Sequence, residues 1–124
     1  MNDEVKKEID DSGVMTIILN RPKSLNSLNY GLVTGVIEAF DEAASNKKVR
    51  SVILTGEGRG FCSGADLSGG GWPTKPEWTS GEISANNMEF FLNPMIKKIV
   101  ACPKPVINAI NGIAAGGGVG LALS

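Results

Sequence analysis

Glycine is unevenly placed in this chain: of 16 glycines in 124 residues, most gather between Gly56 and Gly71 and between Gly112 and Gly120. Each gathering follows a short apolar, β-branched run, Val49 to Thr55 in one case and Pro105 to Ile110 in the other. Glycine permits positive φ and lets main chain approach a ligand or another backbone closely. A chain built this way is expected to deliver two glycine-rich loops from the ends of strands, with its chemistry in backbone groups.

Side-chain chemistry is scarce. There is no histidine, which removes a serine triad and Cys-His pairing together. The two cysteines, Cys62 and Cys102, are far apart in sequence and read as packing residues, and no metal-ligand spacing exists. Phe61-Cys62-Ser63-Gly64 lacks the glycine two residues before its serine that a nucleophile elbow requires. With 42 % hydrophobic residues the chain has enough apolar content for one globular core. Twelve basic against 13 acidic residues, a net charge of −1, give no electrostatic case for nucleic acid or an anionic membrane as partner. Met1 to Asp11 is charged rather than apolar and no apolar run reaches spanning length, so neither a secretory signal nor a membrane span is expected and the location implied is cytoplasmic.

Along the chain, Val14 to Leu19 reads as a strand joined through Asp10-Asp11-Ser12-Gly13 to a weaker strand at Val5 to Ile9. Leu28, Leu32, Val36, Phe40 and Ala43 recur at helical spacing and predict a helix from about Asn29 to Ala44. Val49 to Thr55 is the next strand, Gly56 to Leu67 a loop, and Ser68 to Trp78, with the polar residues up to Ser84, mobile surface chain. Met88, Phe91, Leu92, Met95, Ile96, Ile99 and Val100 predict a second helix whose apolar stripe packs on the core and which ends at Cys102-Pro103. Pro105 to Ile110 is a strand, Asn111-Gly112 a turn, and Gly116 to Leu123 the start of a helix. Alternation of strands and helices predicts an α/β fold with a mostly parallel sheet. Because the last helical pattern meets Ser124 without a cap, the chain reads as truncated.

Dinucleotide and phosphate sites also start with a strand, glycines and a helix, but the spacing here differs. Gly56, Gly58 and Gly60 are followed by phenylalanine where G-x-G-x-x-G has its last glycine, Gly116, Gly118 and Gly120 fail likewise, and no Gly-Lys-Ser/Thr follows either loop. What remains is a pair of loops able to aim free N–H groups at a ligand oxygen. Such donors in a dry site lower a barrier by roughly 3 kcal/mol each.

Three segments carry a family likeness: Asn20-Arg21-Pro22-Lys23-Ser24-Leu25-Asn26-Ser27-Leu28, Gly60-Phe61-Cys62-Ser63-Gly64-Ala65-Asp66-Leu67, and Pro103 through Gly118. In order and spacing they resemble the signature segments of the crotonase (enoyl-CoA hydratase/isomerase) superfamily. The resemblance implies a crotonase-like spiral of repeated ββα units, with residues 1–124 the N-terminal part of a single domain about twice this length that assembles as homotrimers or hexamers. It implies an acyl-CoA thioester as substrate, in fatty acid or phenylacetate metabolism, and no separate cofactor or metal. By the same likeness the backbone N–H groups of Ala65 and Gly117 form the oxyanion hole. Ser63, Ala65, Asp66, Leu67 and Gly117 meet the CoA substrate, and Lys23, Ser24 and Leu25 do so more loosely. Lys23 is either a phosphate partner or a solvated turn lysine, and Asp66 reads as a helix N-cap.

In the family's hydratases a glutamate stands three residues after the oxyanion glycine, whereas this chain has Gly120. Glycine cannot hold a water or shuttle a proton, so the departure points away from two-carboxylate hydration and towards the isomerases, which use one acid/base group from later in the chain. Gly58-Arg59-Gly60-Phe61-Cys62 and Phe91-Leu92-Asn93-Pro94-Met95 also look like segments of family isomerases acting on ring-epoxide phenylacetyl-CoA. The expected activity is therefore enoyl-CoA isomerisation, with residues 1–124 alone inactive. Enoyl-CoA hydration and non-catalytic acyl-CoA binding are the alternatives. Trp72 and Trp78 suit an aromatic acyl group or ordinary loop packing.

Overall fold

Met15, Ile17 and Leu19 are fully buried while the residues between them are half-buried, the period of two that a strand requires when one face meets the core. This strand is the pivot of the fold in the computed structural model, which describes residues 2–124. Strand β1 (Val5–Ile9) runs antiparallel to β2 (Val14–Leu19), with Val5 opposite Leu19 and Ile9 opposite Met15. Helix α1 (Tyr30–Ser45) starts where Asn29 accepts the Leu32 N–H at 2.8 Å, and it buries Leu32, Val33, Val36 and Phe40 in the same core. Strand β3 (Ser51–Gly56) lies parallel to β2, and β5 (Val106–Ala109) parallel to β3, so the sheet order is β1-β2-β3-β5.

The glycine-rich stretch expected to be all loop contains a strand. Strand β4 (Gly60–Cys62) pairs in parallel with β6 (Ile113–Ala114) in a separate two-stranded sheet. With α4 (Gly117–Leu123) the chain is three successive ββα units, β1-β2-α1, β3-β4 with the helices after it, and β5-β6-α4.

The second unit corrects the sequence reading in two further places. Part of the stretch taken as mobile chain is helix α2 (Ser80–Asn87), closed by a reciprocal capping box between Thr79 and Glu82. The helix continues through a π-helical turn at Met88–Leu92 into α3 (Asn93–Val100). Pro94 supplies a reason: in a regular helix it could not donate to the carbonyl of Phe90 and its ring would crowd that group, and a widened turn relieves both. The wide turn also breaks the 3.6-residue register. Met95 and Ile99 are buried, and Phe91, Leu92 and Ile96 pack against the core, but Met88 and Val100 at the ends of the predicted stripe are exposed. Among the described residues no helix is long and apolar enough to cross a membrane.

Candidate active site

The β4–β6 pair brings the two glycine loops face to face. The Ala115 N–H donates to the Cys62 carbonyl at 3.0 Å. Gly64 takes φ +101°, where a Cβ would stand 2.9 Å from the Ala115 carbonyl oxygen, and Gly116 takes φ +52°. On the outer side of the first loop, Leu28 donates its N–H to Gly64 at 2.7 Å and its carbonyl accepts the Asp66 N–H at 3.0 Å. This bridge uses the groups on either side of Ala65 and leaves the Ala65 N–H without a partner among the described residues. Gly117 opens α4, so its N–H has no carbonyl within the helix, and it too finds no partner among the described residues.

Both residues border one cavity of about 420 Å³ whose walls are mainly apolar, with Leu28, Trp72, Leu92 and Met95 among them. The ring of Trp72 is held edge-on by Tyr30, centroids 6.1 Å apart, and lies 5.7 Å from Phe91. Trp78 is not part of this wall; Lys75 Nζ sits 5.5 Å above its ring. Gly120 also borders the cavity, and a Cβ built on it meets nothing within 4 Å.

A guanidinium holds the first loop in place. Arg21 Nη1 donates to the carbonyl and hydroxyl of Ser27 at 2.7 and 2.9 Å, Nη2 donates to Asp66 Oδ2 at 2.9 Å, and Nε lies 3.1 Å from Glu4 Oε1. The two residues flanking the Leu28–Ala65 bridge are thereby tied to each other. Asp66 does not cap a helix, contrary to the sequence reading, because no helix begins until Ser80. Its other oxygen accepts from the Ser68 N–H at 2.9 Å and the Ser68 hydroxyl at 2.6 Å. These Ser68 bonds, with Arg21 behind them, hold the Asp66 carboxyl below its ordinary range.

A depressed pKa means that the ionised form is favoured by folding, so the contribution is present above the unfolded-state value and is lost as pH falls through the folded value. The gap in melting temperature between the unaltered protein and Asp66→Asn is accordingly expected to be open at neutral pH. It should close on acidification below about pH 4, where a free aspartate protonates; melting curves across pH check this.

The remaining residues of the expected CoA path divide between two places. Ser63 donates its N–H to Leu25 at 3.0 Å and its hydroxyl to the Ser24 carbonyl at 3.1 Å, which joins the 24–25 turn to the first loop. Leu25 holds a left-handed backbone at φ +52°. Lys23 and Ser24 border a separate cleft with Asp3, Glu4 and Asn20. Lys23 is exposed and in no ion pair among the described residues. Leu67 is 98 % exposed. The structure thus brings Ala65 and Gly117 together and sets Lys23 and Ser24 in a different cleft. Sequence reasoning assigned no role to Arg21 and read Leu28 only as part of the apolar stripe of the following helix, although both lie inside the first quoted segment.

Cys62 is fully buried beneath the loops, and burial pushes its thiol pKa up against a smaller opposing effect from a hydrogen bond with the Gly64 backbone. Cys102 is partly accessible. In the folded protein a disulfide reagent at mild pH is expected to titrate Cys102 ahead of Cys62, which should react at the rate of a free thiol only in denaturant; reagent uptake by mass spectrometry distinguishes the two.

Residues 10–124 match the enoyl-CoA hydratase/isomerase family. The chain belongs to that family. It is 42 % identical over 114 residues to the 1,2-epoxyphenylacetyl-CoA isomerase of Escherichia coli (strain K12), covering 91 % of this chain and 42 % of that protein. It is 36 % identical over 124 residues to a probable enoyl-CoA hydratase of Rhodobacter capsulatus, covering 97 % of this chain and 43 % of that one. The crystal structure of an enoyl-CoA hydratase from Bacillus anthracis superposes with a TM-score of 0.82 at 30 % identity, over 97 % of this chain and 44 % of that one. The crotonase-type fold is thus established, and the chain spans less than half the length of these relatives. Family members are enzymes named for both hydration and isomerisation of enoyl-CoA.

Proposed function

We propose that this chain supplies the oxyanion hole and part of the CoA site of an enoyl-CoA isomerase. One observation carries the reading: the N–H groups of Ala65 and Gly117, left over by the hydrogen bonding of two different loops, border the same mainly apolar cavity. A thioester carbonyl set between them would be polarised, a proton on the adjacent carbon would become acidic, and the enolate would be held by the same two donors until another carbon is protonated. The donors come from packed backbone and need no rearrangement as charge develops. The reaction is a proton transfer within an acyl-CoA and calls for no cofactor beyond the substrate. Ser63, Asp66 and Leu67, with Lys23, Ser24 and Leu25, form the expected path for the CoA portion.

Gly120 supports isomerisation over hydration, because the cavity wall offers no carboxylate at that position. The acid/base group would come from a later part of a longer domain of which residues 1–124 are the beginning. The isomerase relative supports an aromatic-derived acyl group, with Trp72 as one wall. The test is to incubate full-length protein with 2-enoyl- and 3-enoyl-CoA in heavy water and follow mass. An isomerase interconverts the two and washes in deuterium without adding water, a hydratase adds a water across the double bond, and a binding protein does neither. A cytoplasmic homotrimer or hexamer is the assembly proposed. Ile107, Ile113 and Leu123 are exposed at 59, 60 and 82 % and need covering, by the rest of the domain or by another copy. Light scattering of the full-length protein is expected to return three or six protomers.

A further inference from the structure

Among the contacts of the Arg21 guanidinium, one reaches a main-chain oxygen: Nη1 donates to the Ser27 carbonyl at 2.7 Å. That carbonyl shares a planar trans peptide unit with the Leu28 N–H, which points the opposite way and donates to the Gly64 carbonyl, also at 2.7 Å. The Gly64 carbonyl in turn shares its peptide unit with the Ala65 N–H, which therefore points away from Leu28 and has no partner among the described residues. The guanidinium, two peptide units and the free donor thus stand head to tail in one relay, and its last member borders the cavity shared with Gly117.

No charged side chain borders that cavity, and the carboxylates of Asp66 and Glu4, on Nη2 and Nε, offset the field of the guanidinium at a distance. What Arg21 can deliver to the cavity is polarisation along the hydrogen bonds. Bonds in series polarise one another, by about 10–30 % per bond, and a cationic donor at the head makes the first of them a strong one. A carbonyl drawn towards a cation leaves the N–H of its own peptide unit a better donor, and two such units repeat the effect. The relay also fixes direction, because turning either peptide unit would break the bond behind it.

We propose that Arg21 is a positioning residue for the oxyanion hole: acting through the carbonyls of Ser27 and Gly64, it aims the Ala65 N–H and strengthens it as a donor. This rests on the oxyanion reading of Ala65 and adds the side chain that stands behind that donor. Catalysis by a backbone group then depends on a charged residue that does not touch the substrate.

The experiment uses the full-length protein and butyryl-CoA labelled at its thioester carbonyl carbon, a ligand with no double bond to move. Its isotope-edited infrared band is expected at lower frequency when bound than when free, because donors to the carbonyl oxygen weaken the double bond. In Arg21→Gln about a third of that displacement should be lost, and kcat for enoyl-CoA isomerisation should fall about tenfold with KM nearly unchanged. Arg21→Lys, which keeps a charged donor, should fall between Arg21→Gln and the unaltered protein. A side chain that only kept the loop folded would lower the melting temperature without moving the band. Full displacement in a folded Arg21→Gln protein, or a loss confined to KM, would overturn the assignment while leaving the oxyanion reading intact. If butyryl-CoA does not bind the unaltered protein, or binds without moving its band, the oxyanion reading falls and this inference with it. Should neither variant fold, amide NMR of the unaltered protein decides. Coupled peptide units require the Leu28 amide proton to shift downfield with that of Ala65 as butyryl-CoA binds, and a Leu28 proton that stays in place overturns the relay.

Discussion

Turnover of the full-length protein is expected to drop about a hundredfold or more when Ala65 is replaced by proline, the usual effect of removing one oxyanion donor. The local hydrogen bonding makes this a cleaner experiment than a proline substitution generally is. The Leu28 bridge uses the Gly64 carbonyl and the Asp66 N–H, so the N–H that proline deletes is in no bond that supports the fold. The residue before the proline would be Gly64, which has no Cβ to clash with the new ring. Arg21 would still link Asp66 to Ser27. Loss of turnover with a melting temperature close to that of the parent is therefore the expected pair of results. Because the donor acts on the developing enolate more than on the ground state, the loss should lie mainly in kcat, with KM less affected. A folded Ala65→Pro protein that turns over at near-normal rate would refute the backbone mechanism.

Legibility in the sequence followed how local the determining interactions are. Val14 to Leu19 was readable because an apolar, β-branched run behind a turn signal is visible within ten residues, and α1 because its apolar residues recur at helical spacing along one segment. Strands β4 and β6 were not, since three- and two-residue strands have no period of their own and exist through pairing between residues some fifty positions apart. Helix α2 was missed for another reason: its residues are polar on every side, with none buried, so no apolar stripe marks it. Its start signal, Thr79-Ser80-Gly81-Glu82, was in plain view as a capping box.

At the site, Ala65 and Gly117, the proposed oxyanion donors, were singled out through the family segments, because backbone donors have no side-chain signature. Asp66 was misjudged because the carboxylate that can cap a helix can equally close a turn, and only the structure supplies Arg21 as its second partner. Met88 was assigned to a stripe that assumes an unbroken 3.6-residue period, which the wide turn at Met88–Leu92 interrupts, whereas Val100 is the last residue of α3, one position past buried Ile99.

Three glycines of α4, Gly117, Gly118 and Gly120, look alike in sequence but face different surroundings, and this gives the other large expected effect. A Cβ on Gly118 would stand 2.0 Å from the Cys62 carbonyl oxygen and 2.8 Å from its carbonyl carbon, both backbone atoms of β4. Neither can move without separating β4 from α4, and the Ala115 to Cys62 hydrogen bond would be strained with it. Gly118→Ala, the smallest possible addition, is therefore expected to destabilise by about 3 kcal/mol or more, at the upper end for overpacking. It should also abolish turnover, because Gly117 would be displaced from its place opposite Ala65. At Gly117 itself a Cβ would meet only Leu28 Cδ1 at 3.1 Å, a side-chain tip that can yield. Gly117→Val should therefore fold better than Gly118→Ala and fail through the cavity, by filling the space the thioester would occupy. Gly120 completes the contrast. With nothing within 4 Å and a helical backbone, Gly120→Ala should leave stability unchanged or raise it by up to about 1 kcal/mol, the helix propensity difference. Melting curves of the three variants in the full-length protein give the order: Gly118→Ala lowest, Gly117→Val between, Gly120→Ala at or above the parent. A Gly118→Ala protein as stable and active as the parent would mean that the two loops are not pressed together as described, and the shared cavity between Ala65 and Gly117 would lose its support.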